Sequence, residues 1–269
     1  MTTRSHIFFS DLDGTLLDRE TYSFEEALEV VHRVEEEGIP LVFSSGKSRW
    51  EIESYRHRLG NTHPFVAENG CGIFIPRGYF PFMFSYSRRA GDYEVIEDKV
   101  TYAQVVSALR SIGEETGVPV RGFFDMSEQE ISSLCGLDPK EACLAKRREY
   151  DEPFLVLGDE SARAVVERKI GEKGFRYIRG DRFHHIAGKQ DKGKAASILT
   201  ELYKRANPFI LTVAIGDSLN DLPMLLAVDQ PIFLKREGFT VPEELGRKHG
   251  LILVEGTGPK AWSQGISHL

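Results

Sequence analysis

Cysteine is scarce in this chain. Its 269 residues contain only Cys71, Cys135 and Cys143. They lie far apart and form no CxxC pair, so a zinc site is not expected. A sparse, odd count fits reduced thiols in the cytoplasm. Basic excess is also missing. Lys and Arg number 34 against 41 Asp and Glu, for a formal net charge of −7, and a nucleic-acid partner is not expected. That balance still allows a local group of cations to receive an anionic small molecule. No apolar run reaches the length that spans a bilayer. The start has no charged stretch followed by a long apolar one, so a signal peptide is not expected either. Internal repeats and low-complexity tracts are absent. What remains is an ordinary globular composition, 41% hydrophobic and 28% charged. The length accommodates one domain plus a sizeable insertion.

Hydrophobic patterning supplies the architecture. The run His-Ile-Phe-Phe-Ser at residues 6–10 stops at an acidic loop, as a buried parallel strand does. Residues 24–37 carry Ala27, Leu28, Val31 and Val34 at helical spacing, with Gly38 as a stop. A strand at 40–43, a helix at 50–59 and a strand at 65–67 follow. This alternation predicts a doubly wound, Rossmann-like α/β core. It returns late, with a helix over 192–205, a strand over 210–215, a short helix over 222–227, and strands at 231–234 and 251–254. Between them the pattern is α+β, with helices near 100–115, 127–134, 139–148 and 162–172. Strands are expected near 120–124, 154–157, 175–178 and 183–186. The reading is a core of residues 1–86 and 188–269 carrying an inserted cap of residues 87–187.

Chemistry is expected just beyond the strand ends, where open α/β sheets bind ligands. Asp11-Leu12-Asp13-Gly14-Thr15 follows the first strand. One of two carboxylates spaced this way can attack phosphorus while the other hands over a proton. An Asp-Gly turn alone is common; the apolar strand before it and the Thr-Leu-Leu-Asp after it single it out. Gly216-Asp217-Ser218-Leu219-Asn220-Asp221 follows the late strand. Its carboxylates complete an oxygen-rich site of the kind magnesium prefers, and Ser218 or Asn220 can cap the short helix that follows. Ser44-Ser45-Gly46-Lys47 ends the second strand, where a hydroxyl and backbone N–H groups can grip phosphate oxygens, although alone this signal is weak. Lys192 opens the helix after the insertion and can balance several carboxylates. Lys189 and Lys194 read as solvated.

In this order the four elements resemble the haloacid dehalogenase-like phosphatases. Asp11 to Thr15 is similar to their first motif, Ser45 to their second, Lys192 to their third and Gly216 to Asp221 to their fourth. The insertion lies between the second and third, which resembles the larger type of cap. Five further stretches resemble the mannosyl-3-phosphoglycerate phosphatases. They are Ser45-Gly46-Lys47-Ser48-Arg49, Ala67-Glu68-Asn69-Gly70, Ile75-Pro76-Arg77-Gly78-Tyr79-Phe80, Arg148-Glu149-Tyr150-Asp151-Glu152-Pro153-Phe154 and Gly180-Asp181-Arg182-Phe183-His184-His185. The chain departs from that family at Gly46, often Ala there, and at Asp151, often Ser.

The resemblance implies Mg²⁺-dependent hydrolysis of a phosphorylated sugar–glycerate, 2-O-mannosyl-3-phosphoglycerate, to mannosylglycerate, a compatible solute. Asp11, Asp13, Ser45 and Lys192 are then catalytic. Asp11, Asp13, Asp217 and Asp221 serve the metal, Asp221 either through water or by orienting Lys192. Gly46, Lys47, Arg148 and Asn220 contact substrate, with Arg148 as a clamp for the glycerate carboxylate. Glucosyl-3-phosphoglycerate or another phosphosugar is the alternative substrate, a phosphosugar mutase the alternative activity, and a non-enzymatic binding module the remaining reading. Of His184 and His185, which alternate on a strand, at most one faces the site. Cys71, Trp50 and Tyr79 read as packing residues.

Overall fold

The computed structural model describes residues 5–180 and 182–269. Asp181, in the last of the resembling stretches, lies outside the described residues.

The chain starts with β1 (His6–Ser10), α1 (Leu28–Glu36), β2 (Leu41–Ser44), α2 (Arg49–Arg58), β3 (Phe65–Ala67), β4 (Gly72–Pro76), β5 (Arg88–Ala90) and β6 (Tyr93–Glu97). Then come α3 (Tyr102–Thr116), β7 (Val120–Gly122), α4 (Glu128–Cys135), α5 (Pro139–Lys146), β8 (Glu152–Val156), α6 (Glu160–Glu172), β9 (Arg176–Arg179) and β10 (His184–Ala187). It finishes with α7 (Lys192–Ala206), β11 (Leu211–Gly216), α8 (Leu222–Ala227), β12 (Gln230–Lys235), α9 (Glu243–Gly246), β13 (Ile252–Glu255) and α10 (Gly258–Ile266).

Two sheets result. The large one runs β13-β12-β11-β1-β2-β3-β4-β6-β5, and the small one β7-β8-β10-β9. From β13 to β3 the large sheet is parallel, while β4, β6 and β5 add antiparallel strands at one edge. The central strands are apolar throughout because both faces are covered. Phe8, Phe43, Val213 and Ile215 pack on one side with Val31, Tyr55 and Trp262. Ile7, Phe9, Val42 and Ala214 pack on the other with Ala195, Leu199 and Met224. Each fully buried side chain of this size contributes roughly 1.5–3 kcal/mol. In the small sheet, Phe154 and Ile186 pack against Val105, Leu109, Val166 and Ile170 of α3 and α6.

The expected start of the insertion at residue 87 needs correction. β5 and β6 pair into the large sheet, and the second sheet begins at β7. Sequence patterning missed this pair because the edge strand β5 reads Arg-Arg-Ala, and an edge strand needs no apolar run. It also missed α10, whose Trp262 is completely buried and donates its indole N–H to Ser10 Oγ at 3.0 Å. Ser10 Oγ in turn donates to the Asp11 carbonyl at 2.7 Å, so the C-terminal helix fixes the backbone of the first acidic loop.

Candidate active site

Three of the expected elements become neighbours through strand order alone. β11, β1 and β2 are adjacent and parallel, with Ser10 level with Ile215 on one side and Phe43 on the other. Asp11, Ser45 and Asp217 therefore leave the same sheet edge side by side. The Asp11 N–H bonds the Ile215 carbonyl at 3.0 Å, and the Ser45 N–H bonds the Val66 carbonyl at 3.0 Å. Gly14 makes the sharp turn between, with φ at +78°; a Cβ there would sit 2.8 Å from Asp217 Oδ2. That space is open only to glycine.

The fourth element arrives from α7. Asp191 caps this helix by accepting the Lys194 N–H, which places Lys192 in its first turn. The Lys192 ammonium lies 2.6 Å from Asp11 Oδ1 and 2.6 Å from Asp221 Oδ1, with 1% of the residue exposed. Burial opposes its charge, but Asp11 and Asp221 outweigh burial and hold the ammonium above its ordinary range. Burial, then Asp221, pushes the Asp11 carboxyl well up, with Lys192 opposing. Burial and Asp221 likewise push Asp217 up to about 6. Burial is the larger cause of both shifts, and the crowding of carboxylates adds to it.

Asp11, Asp217 and Asp221 each offer a carboxylate oxygen within 4.8 Å of the others. Buried, hard oxygen donors of this kind fit a divalent cation. Asp221 stands behind the other two. Its Oδ2 accepts from the N–H groups of Asp217 and Ser218 at 3.2 and 3.1 Å and from Ser218 Oγ at 2.7 Å, while Oδ1 takes Lys192. Asp217 Oδ2 pairs with Arg19, a residue the sequence reading missed.

Asp13 keeps a side chain 42% exposed, with Oδ1 3.0 Å from Lys47 Nζ. Lys47 is buried, 3.5 Å from Glu51, and lies over the Tyr22 ring at 4.7 Å. Burial works against its charge, and Asp13 and Glu51 raise its affinity for the proton well above the usual range. Asn220 reaches Asn69 Oδ1 at 3.4 Å. A cavity of about 440 Å³ joins these groups to Phe123, Cys135, Phe183 and His185 of the insertion.

Comparison with known proteins identifies the family of this chain. A family model of haloacid dehalogenase-like hydrolases matches residues 8–80. A glucosyl-3-phosphoglycerate/mannosyl-3-phosphoglycerate phosphatase of Methanococcoides burtonii is 42% identical over 267 residues, 98% of this chain and 97% of the relative. The chain belongs to the haloacid dehalogenase-like phosphatases. A second relative of the same name, from Persephonella marina, is 36% identical over 97% of this chain and 95% of its own. A mannosyl-3-phosphoglycerate phosphatase of Pyrococcus furiosus is 38% identical over 83% of this chain and 88% of its own. Among solved structures, a Thermoplasma acidophilum protein aligns with TM-score 0.70 at 19% identity, covering 99% of this chain and 98% of that one. A haloacid dehalogenase-like hydrolase from Bacteroides thetaiotaomicron aligns with TM-score 0.64 at 20% identity, over 98% of each. These share the fold.

Arg148 of this phosphatase does reach the cavity wall, but its guanidinium is already committed. It pairs with Asp151, donates to the Gly46 carbonyl at 2.9 Å and lies 3.6 Å from Glu68. The residue is only 9% exposed. This geometry speaks against the expected carboxylate clamp, because a guanidinium holding two buried carboxylates has little left for a third. Arg148 instead bridges the Ser45-Gly46-Lys47 loop to the insertion.

The bridge is reinforced by a turn whose role sequence reading did not foresee. Glu68 and Asn69 both have positive φ, 51° and 59°. Glu68 accepts the N–H groups of Glu149, Tyr150 and Asp151 at 2.9, 2.8 and 2.8 Å. Asn69 donates to Asp151 Oδ2 at 2.7 Å. The Asn-Gly pair signals a left-handed turn, but nothing in it reveals a partner some eighty residues away.

Proposed function

We propose that this phosphatase hydrolyses 2-O-glycosyl-3-phosphoglycerates, mannosyl and glucosyl, to the glycosylglycerate and phosphate, with Mg²⁺, in the cytoplasm. The observation that carries the reaction type is the meeting of Asp11, Ser45, Lys192 and Asp217 at one sheet edge. The substrate class is supported by the printed activity of relatives that align over nearly the whole chain.

Asp11 is the nucleophile. Lys192 holds its Oδ1, which leaves Oδ2 to attack phosphorus as the bond to the glycerate oxygen breaks. Asp13, exposed to the cavity, gives that oxygen its proton and then takes one from the water that cleaves the aspartyl-phosphate. The Ser45 hydroxyl and the Lys192 ammonium bind phosphoryl oxygens. Gly46 and Lys47 line the phosphate side, Lys47 also orienting Asp13, and Asn220 closes the opposite lip. The Asp11 and Asp217 carboxylates and the Asp13 carbonyl would hold the cation, with Asp221 orienting Lys192. The bound cation would neutralise charge on the phosphoryl oxygens.

The insertion supports the selectivity in this reading. Asp11, Asp13, Ser45, Lys192 and Asp217 all lie outside it, while Phe123, Phe183 and His185 close the cavity from within it. The test is an activity screen of the purified enzyme against glycosyl-phosphoglycerates, other phosphosugars and p-nitrophenyl phosphate. The expected result is the highest kcat/KM on a glycosyl-3-phosphoglycerate, with free phosphate as product. A preference for simple hexose phosphates would overturn it, and dependence on a bisphosphate activator would indicate a mutase.

A further inference from the structure

One wall of the cavity carries a buried polar chain that the proposed chemistry does not use. Strand β10 sends its two histidines to opposite faces. His184 stacks on Tyr177 at 5.4 Å and shares a 2.8 Å hydrogen bond with its hydroxyl, away from the cavity. His185 lines the cavity. Its Nδ1 lies 3.1 Å from Asp151 Oδ2. The same oxygen takes the Asn69 amide at 2.7 Å, and the other Asp151 oxygen takes Arg148.

These contacts decide which ring nitrogen carries the proton. Asp151 is completely buried and both of its oxygens already take donors, Asn69 and Arg148, so its carboxylate serves as an acceptor here. His185 Nδ1 must therefore donate to it, which leaves Nε2 as a bare acceptor. The His185 side chain keeps 17% exposure although Nδ1 is engaged, so Nε2 is the nitrogen available to the cavity. Gly180 lies beside Nε2, where a Cβ would stand in ordinary contact at 3.5 Å. Burial first, then Arg148, Arg176 and Lys192, push the ring's proton affinity down, while the Asp151 carboxylate at 3.1 Å works the other way.

A bare imidazole nitrogen has no use for a phosphate or a carboxylate, which offer it only acceptors. It needs an O–H donor. In a 2-O-glycosyl-3-phosphoglycerate both glycerate hydroxyls are substituted, so every free hydroxyl is on the sugar. Building on the proposed function, we propose that His185 Nε2 accepts a hydrogen bond from a sugar hydroxyl of the leaving group and determines sugar specificity. Asp151 and Asn69 are its positioning residues. Arg148, on both Asp151 and the Gly46 carbonyl, ties this reader to the phosphate loop and so fixes the sugar relative to phosphorus.

The test compares two variants. His185→Asn keeps a donor near Nδ1 for Asp151 but removes the acceptor. His185→Gln restores an acceptor near the Nε2 position. His185→Asn should raise KM for the glycosyl-phosphoglycerate about tenfold, the loss of one hydrogen bond. Its loss on p-nitrophenyl phosphate, which has no sugar hydroxyl, should be smaller, and His185→Gln should recover part of the loss on the glycosyl ester. Among monodeoxy sugar analogues, one should bind wild type and His185→Asn equally, because the hydroxyl and its acceptor form one interaction. Independently of any variant's folding, nitrogen-15 NMR of histidine-labelled wild-type enzyme should show His185 protonated at Nδ1 and bare at Nε2. Asp151→Asn should shift that tautomer balance.

Equal losses on both esters, additive losses for every deoxy analogue, or an Nε2–H tautomer in the wild type would each overturn the proposal. If the wild type prefers a phosphosugar outside the glycosyl-phosphoglycerates, the substrate assignment fails. The deoxy comparison then runs on the preferred ester and still decides the role of His185.

Discussion

Lys192 and Asp11, separated by 181 positions in the chain, meet at 2.6 Å with both side chains buried. Lys192 shares itself equally with Asp221, so one ammonium serves two carboxylates while Asp217 crowds the same space. Asp11→Asn removes one negative charge from this cluster and cannot attack phosphorus. We expect turnover to be abolished, with thermal stability equal to or above the wild type, read by a phosphate-release assay and a melting curve on the same sample. Turnover comparable with the wild type would end the covalent mechanism.

Asp13→Asn leaves the nucleophile intact and removes only the proton donor. The expected cost is about 10²–10⁴-fold in kcat. Hydrolysis of the aspartyl-phosphate also uses Asp13, so acid-quenched samples should contain more phosphorylated protein than the wild type. A normal kcat would assign the proton to another group.

Metal removal should silence the enzyme. EDTA is expected to abolish turnover and Mg²⁺ to restore it, whereas Ca²⁺ should inhibit, because its larger and looser coordination shell relaxes the geometry that an octahedral ion imposes. Full activity after exhaustive chelation, checked by elemental analysis, would contradict the cation's role at Asp11 and Asp217.

Arg148→Ala should act on the fold as well as on substrate binding. It strands Asp151 and Glu68, both 0% exposed, and breaking a buried pair from one side costs about 3–5 kcal/mol. We expect a large drop in melting temperature and similar losses on glycosyl-phosphoglycerate and p-nitrophenyl phosphate. Adding Asp151→Asn should return part of the stability. A KM effect confined to the glycerate ester, at unchanged stability, would restore the carboxylate-clamp role.

Glu152 gives a pH signature remote from the chemistry. Burial pushes its carboxyl up from 4.5 to about 7, opposed by the Tyr102 hydroxyl and the Phe124 N–H. Between those values the folded protein holds a proton that the unfolded chain has released, so this group's contribution to stability falls as pH rises from 4.5 to 7. Glu152→Gln removes that slope. Relative to the wild type, the variant should gain on the order of 2 kcal/mol between pH 5 and pH 8. Parallel melting-temperature profiles would show that Glu152 does not titrate in this range.

The chemistry of the core was legible in the chain because parallel strands carry local signatures. An apolar run buried on both faces ends at a loop, and Asp11, Ser45 and Asp217 each follow such a run directly. The alternation of strand and helix predicted the parallel sheet, and apolar spacing from Lys192 onward predicted α7. Weakly patterned pieces escaped. β5 is a charged edge strand, and the helix of Trp262 has Pro and Gly in its sequence.

Sequence alone determined that Asp11, Ser45 and Asp217 stand at strand ends and Lys192 at a helix start, since motif and element end coincide within a few positions. Only the tertiary structure decided what those residues touch. The charge on Arg148 suits a substrate carboxylate as well as a protein one, and its commitment to Asp151 and Glu68 followed from folding the 147–151 segment onto a left-handed turn far away in the chain. The same segment brings Asp151 to 3.1 Å from Nδ1 of His185, the histidine that the pleat of β10 turns toward the cavity. Hydrogen bonds are short-ranged and directional, so a pairing across eighty residues leaves no trace in local spacing and exists only once the two sheets are packed.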